Sequence, residues 1–275
     1  MRILDNLLFS IEFPWSLVLI FGLMLVLCLV FIKAKALTVS GGFAALAVGI
    51  GCLWCLRFEG LLVLLFFFLS AGVLGKLSQG QKKGNYEKKE GARDAVQVFA
   101  NGFLALLGAL GYYFTNDSVF LVIFSAGMAE ANSDTWAGEI GRLSKRQPVS
   151  IRNLQPVEKG LSGGITALGI IGGFLGSATV SLLVGILFPI PKIWMLVSMV
   201  CLAGFFGCLV DSLLGAFAQA LYLDDKTDLL TERDKDQDGR PFELVRGLRW
   251  IDNDMVNFMS NLFAVVLAMG LVSWI

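Results

Sequence analysis

Long apolar stretches separated by short polar links dominate this sequence. A helix needs about 20 predominantly apolar residues to cross a bilayer. Eight stretches come near that length, and we predict a membrane helix in each: Trp15–Ile32, Leu37–Leu56, Leu61–Leu74, Val96–Phe114, Val119–Trp136, Leu161–Phe188, Ile193–Leu223 and Met255–Ile275. The pattern therefore predicts an all-α, polytopic bundle of about eight transmembrane helices, or seven if two neighbouring stretches merge.

Composition supports a membrane protein and excludes several other classes. The chain of 275 residues is 56% hydrophobic and 16% charged, whereas a soluble domain is about 45–50% apolar and about 25% charged. Its formal net charge is zero, so bulk charge predicts no nucleic-acid partner. Histidine is absent, which excludes imidazole general bases and histidine-containing zinc or iron sites.

Basic residues are concentrated in alternate links between the predicted spans. The links after the first, third, fifth and seventh spans hold 19 of the 22 lysines and arginines. The positive-inside rule places these links in the cytoplasm and, with eight spans, both termini outside. We expect one cytoplasm-facing site within a catalytic membrane unit at 93–275, preceded by a three-span segment and first cytoplasmic loop at 1–92.

Acidic residues interrupt the fifth and seventh predicted spans. An acid inside a membrane helix is costly and is a functional hypothesis by default. Glu130 and Asp134 are four residues apart and share a helix face, and Glu139 follows at the membrane edge. Asp211 lies deep in the seventh span, with Gln219 eight residues further on. Carboxylates of this kind suit Mg²⁺, although Glu130 is the member for which a structural role is most expected.

A glycine-rich turn, PVEKGLSGGIT, opens the sixth predicted span at 156–166. Glycines let backbone N–H groups approach an anion, and a helix N-terminus adds positive potential. Lys159 contributes a charge, and Ser162 and Thr166 contribute hydroxyl groups. The spacing differs from that of a Walker A loop, but the turn directly follows the acidic helix and therefore predicts a phosphate site.

Polar stripes mark two further helices. Gln97 and Asn101 are four residues apart just after Arg93, and Asn257 and Asn261 lie at the same spacing near the start of the last span. Substrate binding and interhelical amide hydrogen bonds both account for such stripes. Glycines at four-residue spacing in the sixth span predict close helix packing.

Four ordered segments together resemble one known family. They are RDAVQVFANG at 93–102, SDTWAGEIG at 133–141, PVEKGLSGG at 156–164, and DSLLGA at 211–216 with Gln219. The sequence resembles the integral-membrane family catalogued as domain of unknown function ninety-two, whose plant and cyanobacterial members act as phytyl-phosphate kinases. Asp134, Glu139 and the turn after Lys159 are more loosely similar to CTP-dependent lipid kinases.

The resemblance implies a kinase that converts a prenyl monophosphate into the diphosphate, with Mg²⁺ as cofactor and a nucleoside triphosphate, CTP favoured, as donor. It implies Asp134, Glu139 and Asp211 as metal ligands and, with Lys159, as the catalytic set. Arg93 would join the binding of nucleotide phosphates. The other expected substrate- or nucleotide-binding residues are Gln97, Asn101, Gly160, Ser162, Gly163, Gly164, Thr166, Ser212, Gln219, Asn257 and Asn261.

Other functions remain open at this point. One alternative is a prenol kinase, whose acceptor carries a hydroxyl group in place of a phosphate and which would need an acid such as Asp134 as base. A CTP-dependent cytidylyltransferase is a second enzyme alternative. A small-ion or anion transporter would use Asp134 and Asp211 as coupling sites, but no inverted repeat is evident. A noncatalytic scaffold would leave the acidic cluster unexplained.

Overall fold

The protein is described by a computed structural model over residues 15–79, 91–236 and 238–274. These ranges contain seven α-helices, α1 to α7: Trp15–Lys33, Val39–Ser78, Ala95–Thr115, Ser118–Arg142, Ala167–Leu187, Ile193–Phe217 and Asn253–Val272. All but α4 are long and apolar enough to cross a membrane. The predicted helical membrane bundle is thus confirmed. Residues 1–14, 80–90, 237 and 275 lie outside the described ranges, and with them both predicted outside termini.

Helix α2 is a hairpin of two arms joined at Arg57, where the backbone leaves the helical region with φ 60° and ψ −157°. Thr38 N, at its start, donates to Arg93 O at 3.0 Å. The Arg93 guanidinium in turn lies 5.4 Å from the Phe67 ring centroid. Thr38 and Phe67 would be about 44 Å apart in a straight helix. The two arms are therefore antiparallel, as the second and third predicted spans require.

Two predicted spans are longer than the helices that the structure forms. The sixth starts at Ala167 and not at Leu161, because Thr166 caps the helix by accepting from Gly169 N at 2.9 Å. The seventh ends at Phe217 and not at Leu223. Five short strands connect the helices, β1 to β5: Val149–Ser150, Gly164–Ile165, Leu221–Asp224, Leu229–Thr231 and Glu243–Arg246. The last apolar residues of the seventh predicted span enter a small antiparallel sheet of order β4-β3-β5, and β1 pairs with β2 between α4 and α5.

Helix α4 is the centre of the bundle and contacts α2, α3, α5, α6 and α7. Its contact with α5 depends on glycine. A Cβ at Gly172 would lie 3.0 Å from Trp136 O, and one at Gly176 would lie 2.8 Å from Asn132 O. The close packing predicted from the glycine spacing is therefore confirmed, and it surrounds the acids of α4 with protein.

The basic links meet at one end of the bundle. Leu37 and Arg93 form a parallel backbone bridge between the first and third predicted links. Ser162 N, in the fifth link, donates to Glu232 Oε1 in the seventh link at 3.3 Å. This grouping agrees with the alternation of links expected from eight crossings. It also brings together the segments that carry the predicted site residues.

Candidate functional site

A polar cavity of about 320 Å³ opens where these links meet. Helices α3 to α7, the end of the third link, the glycine-rich turn and the segment after β4 form its walls. Its charged lining residues are Arg93, Asp134, Glu139, Arg142, Lys159, Asp211, Glu232, Asp252 and Asp254. Six acids thus face three bases in one cavity, so the lining has a formal excess of negative charge.

Asp134 and Asp211 reach the cavity from two different helices. Asp134 and Asp211 each lie about two turns before the end of their helix, α4 and α6 respectively. Their negative charges repel each other, and Asp134 is also in the field of Arg142. Two neighbouring carboxylates of this kind favour a cation between them or a proton on one of them.

Glu139 has protein partners on its side of the cavity. Its Oε1 accepts from Arg142 Nη1 at 2.8 Å, and its Oε2 accepts from the Ser78 hydroxyl. Arg93 enters from the third link. Burial lowers the pKa of the Arg93 guanidinium and the charge of Glu139 opposes that shift, but arginine stays protonated in proteins. Glu139 and Arg93 therefore contribute opposite fixed charges to this wall.

The glycine-rich turn is held against the end of α6 at Gly163. This residue has φ 81°, and a Cβ on it would lie 2.5 Å from Ala216 Cβ and 2.8 Å from Ala216 N. Glu232 holds the same turn by accepting from the backbone N–H and the hydroxyl of Ser162. Glycine is required here because of the left-handed φ and the close approach. The turn therefore presents 159–166 to the cavity in a fixed conformation.

Lys159 lies at the mouth of the turn. Its ammonium group donates to Ser144 O at 2.6 Å, and the residue also lines the cavity. A backbone carbonyl is an uncharged partner, so an incoming phosphate would compete favourably for this ammonium. Thr166 lines the cavity too, although its hydroxyl oxygen serves as the cap of α5.

Glu130 is separated from the cavity although it lies one turn before Asp134. Only 1% of it is exposed. Its Oε1 is 2.8 Å from Ser260 Oγ, and its Oε2 accepts from Asn261 Nδ2 at 2.8 Å. Asn261 also donates to Gly127 O. Glu130 and Asn261 therefore join α4 to α7, which agrees with the structural role expected for Glu130.

The same hydrogen-bond network also reaches Asp211 through Ser260. Ser260 Oγ lies 3.1 Å from Asp211 Oδ2. The Asn257 amide is assigned with its nitrogen toward Asp211, because in that orientation it donates to Oδ2 at 3.1 Å and to Asn253 O at 3.2 Å. Such outer hydrogen bonds orient a carboxylate that has to bind a ligand on its other side. Asn257 thus reaches the site through Asp211.

The structure separates the predicted site residues into two groups. Twelve line the cavity: Arg93, Gln97, Asp134, Glu139, Lys159, Gly160, Ser162, Gly163, Gly164, Thr166, Asp211 and Ser212. Asn101, Gln219, Asn257 and Asn261 do not line it. Asn101 Nδ2 donates to Gln97 O within α3, and Gln219 is buried below the end of α6 with 2% of its surface exposed.

Four charged lining residues were not predicted: Arg142, Glu232, Asp252 and Asp254. Arg142 and the two aspartates flank segments that were already of interest, and Asp252 caps α7 by accepting from Met255 N. The proximity of Asp252 and Asp254 to the asparagine stripe in the sequence was a signal that could have identified these two aspartates. Glu232 follows a three-residue strand in an acidic link, and nothing in its spacing identifies it.

The network around Ser260 yields a stability prediction. Ser260→Ala should lower the free energy of unfolding by about 1–3 kcal/mol, because buried carboxyl oxygens of Glu130 and Asp211 lose a partner. Ser198→Ala is the matched control, since Ser198 is exposed and, among the described residues, its hydroxyl bonds to Trp194 O on its own helix alone. It should change stability by less than about 0.5 kcal/mol. Denaturation in detergent measures the free energy of unfolding of both variants. Equal losses would contradict a stabilising role for the bonds of Ser260 to Glu130 and Asp211.

Comparison with known proteins places the chain among membrane proteins. Residues 22–265 match the family described as integral membrane protein DUF92. Protein PGR of Arabidopsis thaliana is 32% identical over 84% of this chain and 87% of its own. An uncharacterized membrane protein of Methanocaldococcus jannaschii is 31% identical over 73% of this chain and 84% of its own. One from Synechocystis is 28% identical over 63% of this chain and 69% of its own. No solved structure matches the chain.

Proposed function

The chain belongs to the DUF92 family of integral membrane proteins, and from this premise we propose that it is a membrane-embedded kinase. It transfers the γ-phosphoryl group of a nucleoside triphosphate to a prenyl monophosphate and forms the prenyl diphosphate. The observation that carries this proposal is the cavity itself, which combines Asp134, Asp211, Lys159 and the glycine-rich turn from distant parts of the chain. Carboxylates beside a basic, glycine-rich turn are the groups that phosphoryl transfer needs.

The reaction balances with the groups that line the cavity. An oxygen of the acceptor phosphate attacks the γ-phosphorus, the bond from that phosphorus to the β–γ bridging oxygen breaks, and the nucleoside diphosphate leaves with the electron pair. Lys159, Arg93 and the backbone of 160–164 bind phosphate oxygens and offset their charge. The acceptor is already an anion, so no strong general base is needed, and catalysis consists of positioning and electrostatic stabilisation.

Magnesium fits the donor set of the proposed site. The carboxylates of Asp134 and Asp211 are the ligands available to it, while Glu139 is partly satisfied by Arg142 and Ser78. Within the described residues no group of three or more potential ligands is arranged to hold a metal unaided. Mg²⁺ normally takes one or two carboxylates and completes its shell with substrate phosphates and water. Bound there, it would neutralise the developing phosphate charge.

We further propose that the cavity faces the cytoplasm, where nucleotides are available. The concentration of basic residues in the links that form this end supports that orientation. A cysteine at the exposed Arg152 position should then react with a membrane-impermeant thiol reagent in inverted vesicles only. Reaction in intact cells would contradict the orientation.

A substrate panel tests the function and separates the alternatives. Purified protein should form a lipid diphosphate from geranylgeranyl or phytyl monophosphate with Mg²⁺ and a nucleoside triphosphate, and EDTA should abolish the product. Phosphorylation of geranylgeraniol alone would indicate a prenol kinase. A cytidyl-lipid product would indicate a cytidylyltransferase. Ion-dependent uptake into liposomes without any lipid product would indicate a transporter, and each of these results contradicts the proposal.

A further inference from the structure

A second, apolar pocket of about 100 Å³ lies directly beside the polar cavity. It is enclosed by α1, both arms of α2 and α3, and one residue of α4 reaches it. Its walls are almost entirely aliphatic and aromatic; representative side chains are Met24, Phe31, Ala45, Leu64, Phe68 and Val98. Its polar lining residues are Arg93, Gln97 and Asn101.

The two cavities share a boundary. Arg93 and Gln97 line both of them. The Arg93 guanidinium lies 5.4 Å from the centroids of the Phe67 and Phe68 rings, and its carbonyl is held by Thr38 N. Gln97 is fixed by a reciprocal cap with Asp94. The guanidinium of Arg93 therefore lies at the boundary between the polar cavity and the apolar pocket.

We propose that this pocket binds the first isoprene unit of the acceptor, with Arg93 at the junction between its hydrocarbon chain and its phosphate. This inference rests on the proposed function, since it names the place of the acceptor beside the polar cavity. A molecule with a phosphate on one side of Arg93 and a hydrocarbon on the other matches both surroundings. Transfer of the hydrocarbon from water into this pocket favours binding.

The size of the pocket sets what it recognises. A cavity of about 150 Å³ holds one benzene molecule, so a pocket of about 100 Å³ has room for about one five-carbon unit. The remaining units must continue along the outer surfaces of the helices, where side chains such as Phe43 and Leu69 are exposed. The pocket should therefore select the unit next to the phosphate and tolerate different lengths beyond it.

Photolabelling tests this placement without turnover. A geranylgeranyl monophosphate probe with a diazirine on its first isoprene unit is irradiated with the purified full-length protein in the absence of nucleotide, and labelled peptides are identified. We expect label on the facing parts of α1, α2 and α3, displaced by unlabelled monophosphate and reduced at least 5-fold by Arg93→Gln. Label elsewhere on the bundle, or equal labelling by the corresponding prenol probe, would overturn the proposal.

Two alanines on one arm of α2 provide a matched pair of variants. Ala45 lines the pocket and Ala47 is exposed on the outer surface. Ala45→Leu should lower labelling at least 10-fold, whereas Ala47→Leu should change it less than 2-fold. If Ala45→Leu does not fold, Gly102→Ala serves in its place, because its Cβ meets Val48 at an ordinary 3.4 Å; it should lower labelling at least 3-fold. Equal labelling of the pocket variant (Ala45→Leu or Gly102→Ala) and of Ala47→Leu would contradict the placement of the isoprene unit in this pocket.

The outcome is separable from that of the kinase assay. Label in the pocket without formation of a diphosphate would support this binding site and contradict the transfer reaction. Formation of the diphosphate with label outside the pocket would support the transfer reaction and contradict this binding site.

Discussion

Asp134→Asn should lower the rate of phosphoryl transfer by about 10²–10³-fold, the range seen when one preorganised electrostatic contact to a transition state is lost. An amide in this position keeps the size of the side chain but removes the carboxylate that, with Asp211, is proposed to hold Mg²⁺. The loss should therefore appear in kcat at saturating substrate, and the Mg²⁺ concentration needed for half-maximal rate should rise. Initial rates of diphosphate formation across a Mg²⁺ titration measure both quantities.

Glu130→Gln is the matched control for this variant. It replaces a carboxyl group by an amide on the same helix, one turn away, at a residue that does not line the cavity. The glutamine oxygen can accept from Asn261 Nδ2 as Glu130 Oε2 does, and its amide nitrogen can donate to Ser260 Oγ, whose own proton remains available to Asp211. We expect activity within about 3-fold of wild type. An equal loss in both variants would mean that the acids of α4 act as one structural unit.

Gly163→Ala should weaken nucleotide binding at least 10-fold. The new Cβ would lie 2.5 Å from Ala216 Cβ and 2.7 Å from Ala216 Cα, so the turn must move away from α6. The left-handed conformation at φ 81° adds about 1–2 kcal/mol for a residue with a Cβ. Both effects displace the 159–166 backbone that is proposed to bind phosphates.

Gly160→Ala separates the two effects. Gly160 also has a positive φ, 93°, but a Cβ there meets nothing within 4 Å. This variant should show the conformational cost alone and bind nucleotide within about 3-fold of wild type, since the turn keeps its place on α6. Nucleotide titrations with a parallel melting curve measure the pair. Equal affinities for Gly163→Ala and Gly160→Ala would contradict a role for the contact with Ala216.

The membrane helices were predictable because their signal is local. About 20 apolar residues and the positions of lysine and arginine suffice for a transmembrane bundle. The ends of two spans were wrong because Leu161 and Ile165, and the residues at 221–223, continue the hydrophobic pattern but lie in a turn and in short strands. Runs this short do not distinguish a strand from the end of a helix.

The site was predictable only where its chemistry was concentrated in the sequence. Asp134 and Lys159 stood out as an acid in an apolar helix and a lysine in a glycine-rich turn, and the structure brings both to one cavity. Spacing showed that Asn257 and Asn261 share a helix face, but it could not show that Asp211 and Glu130 lie opposite them. Glu232 reaches the cavity through the packing of a small sheet, which no local pattern encodes.

The most direct test of the central claim follows the γ-phosphoryl group itself. Purified protein is incubated with Mg²⁺, geranylgeranyl monophosphate and a nucleoside triphosphate that carries ¹⁸O on its γ-phosphoryl oxygens, and the lipid product is analysed by mass spectrometry. We predict a geranylgeranyl diphosphate that contains the labelled phosphoryl group, with the nucleoside diphosphate released in equal amount. Unchanged monophosphate with every nucleoside triphosphate would contradict the proposed kinase.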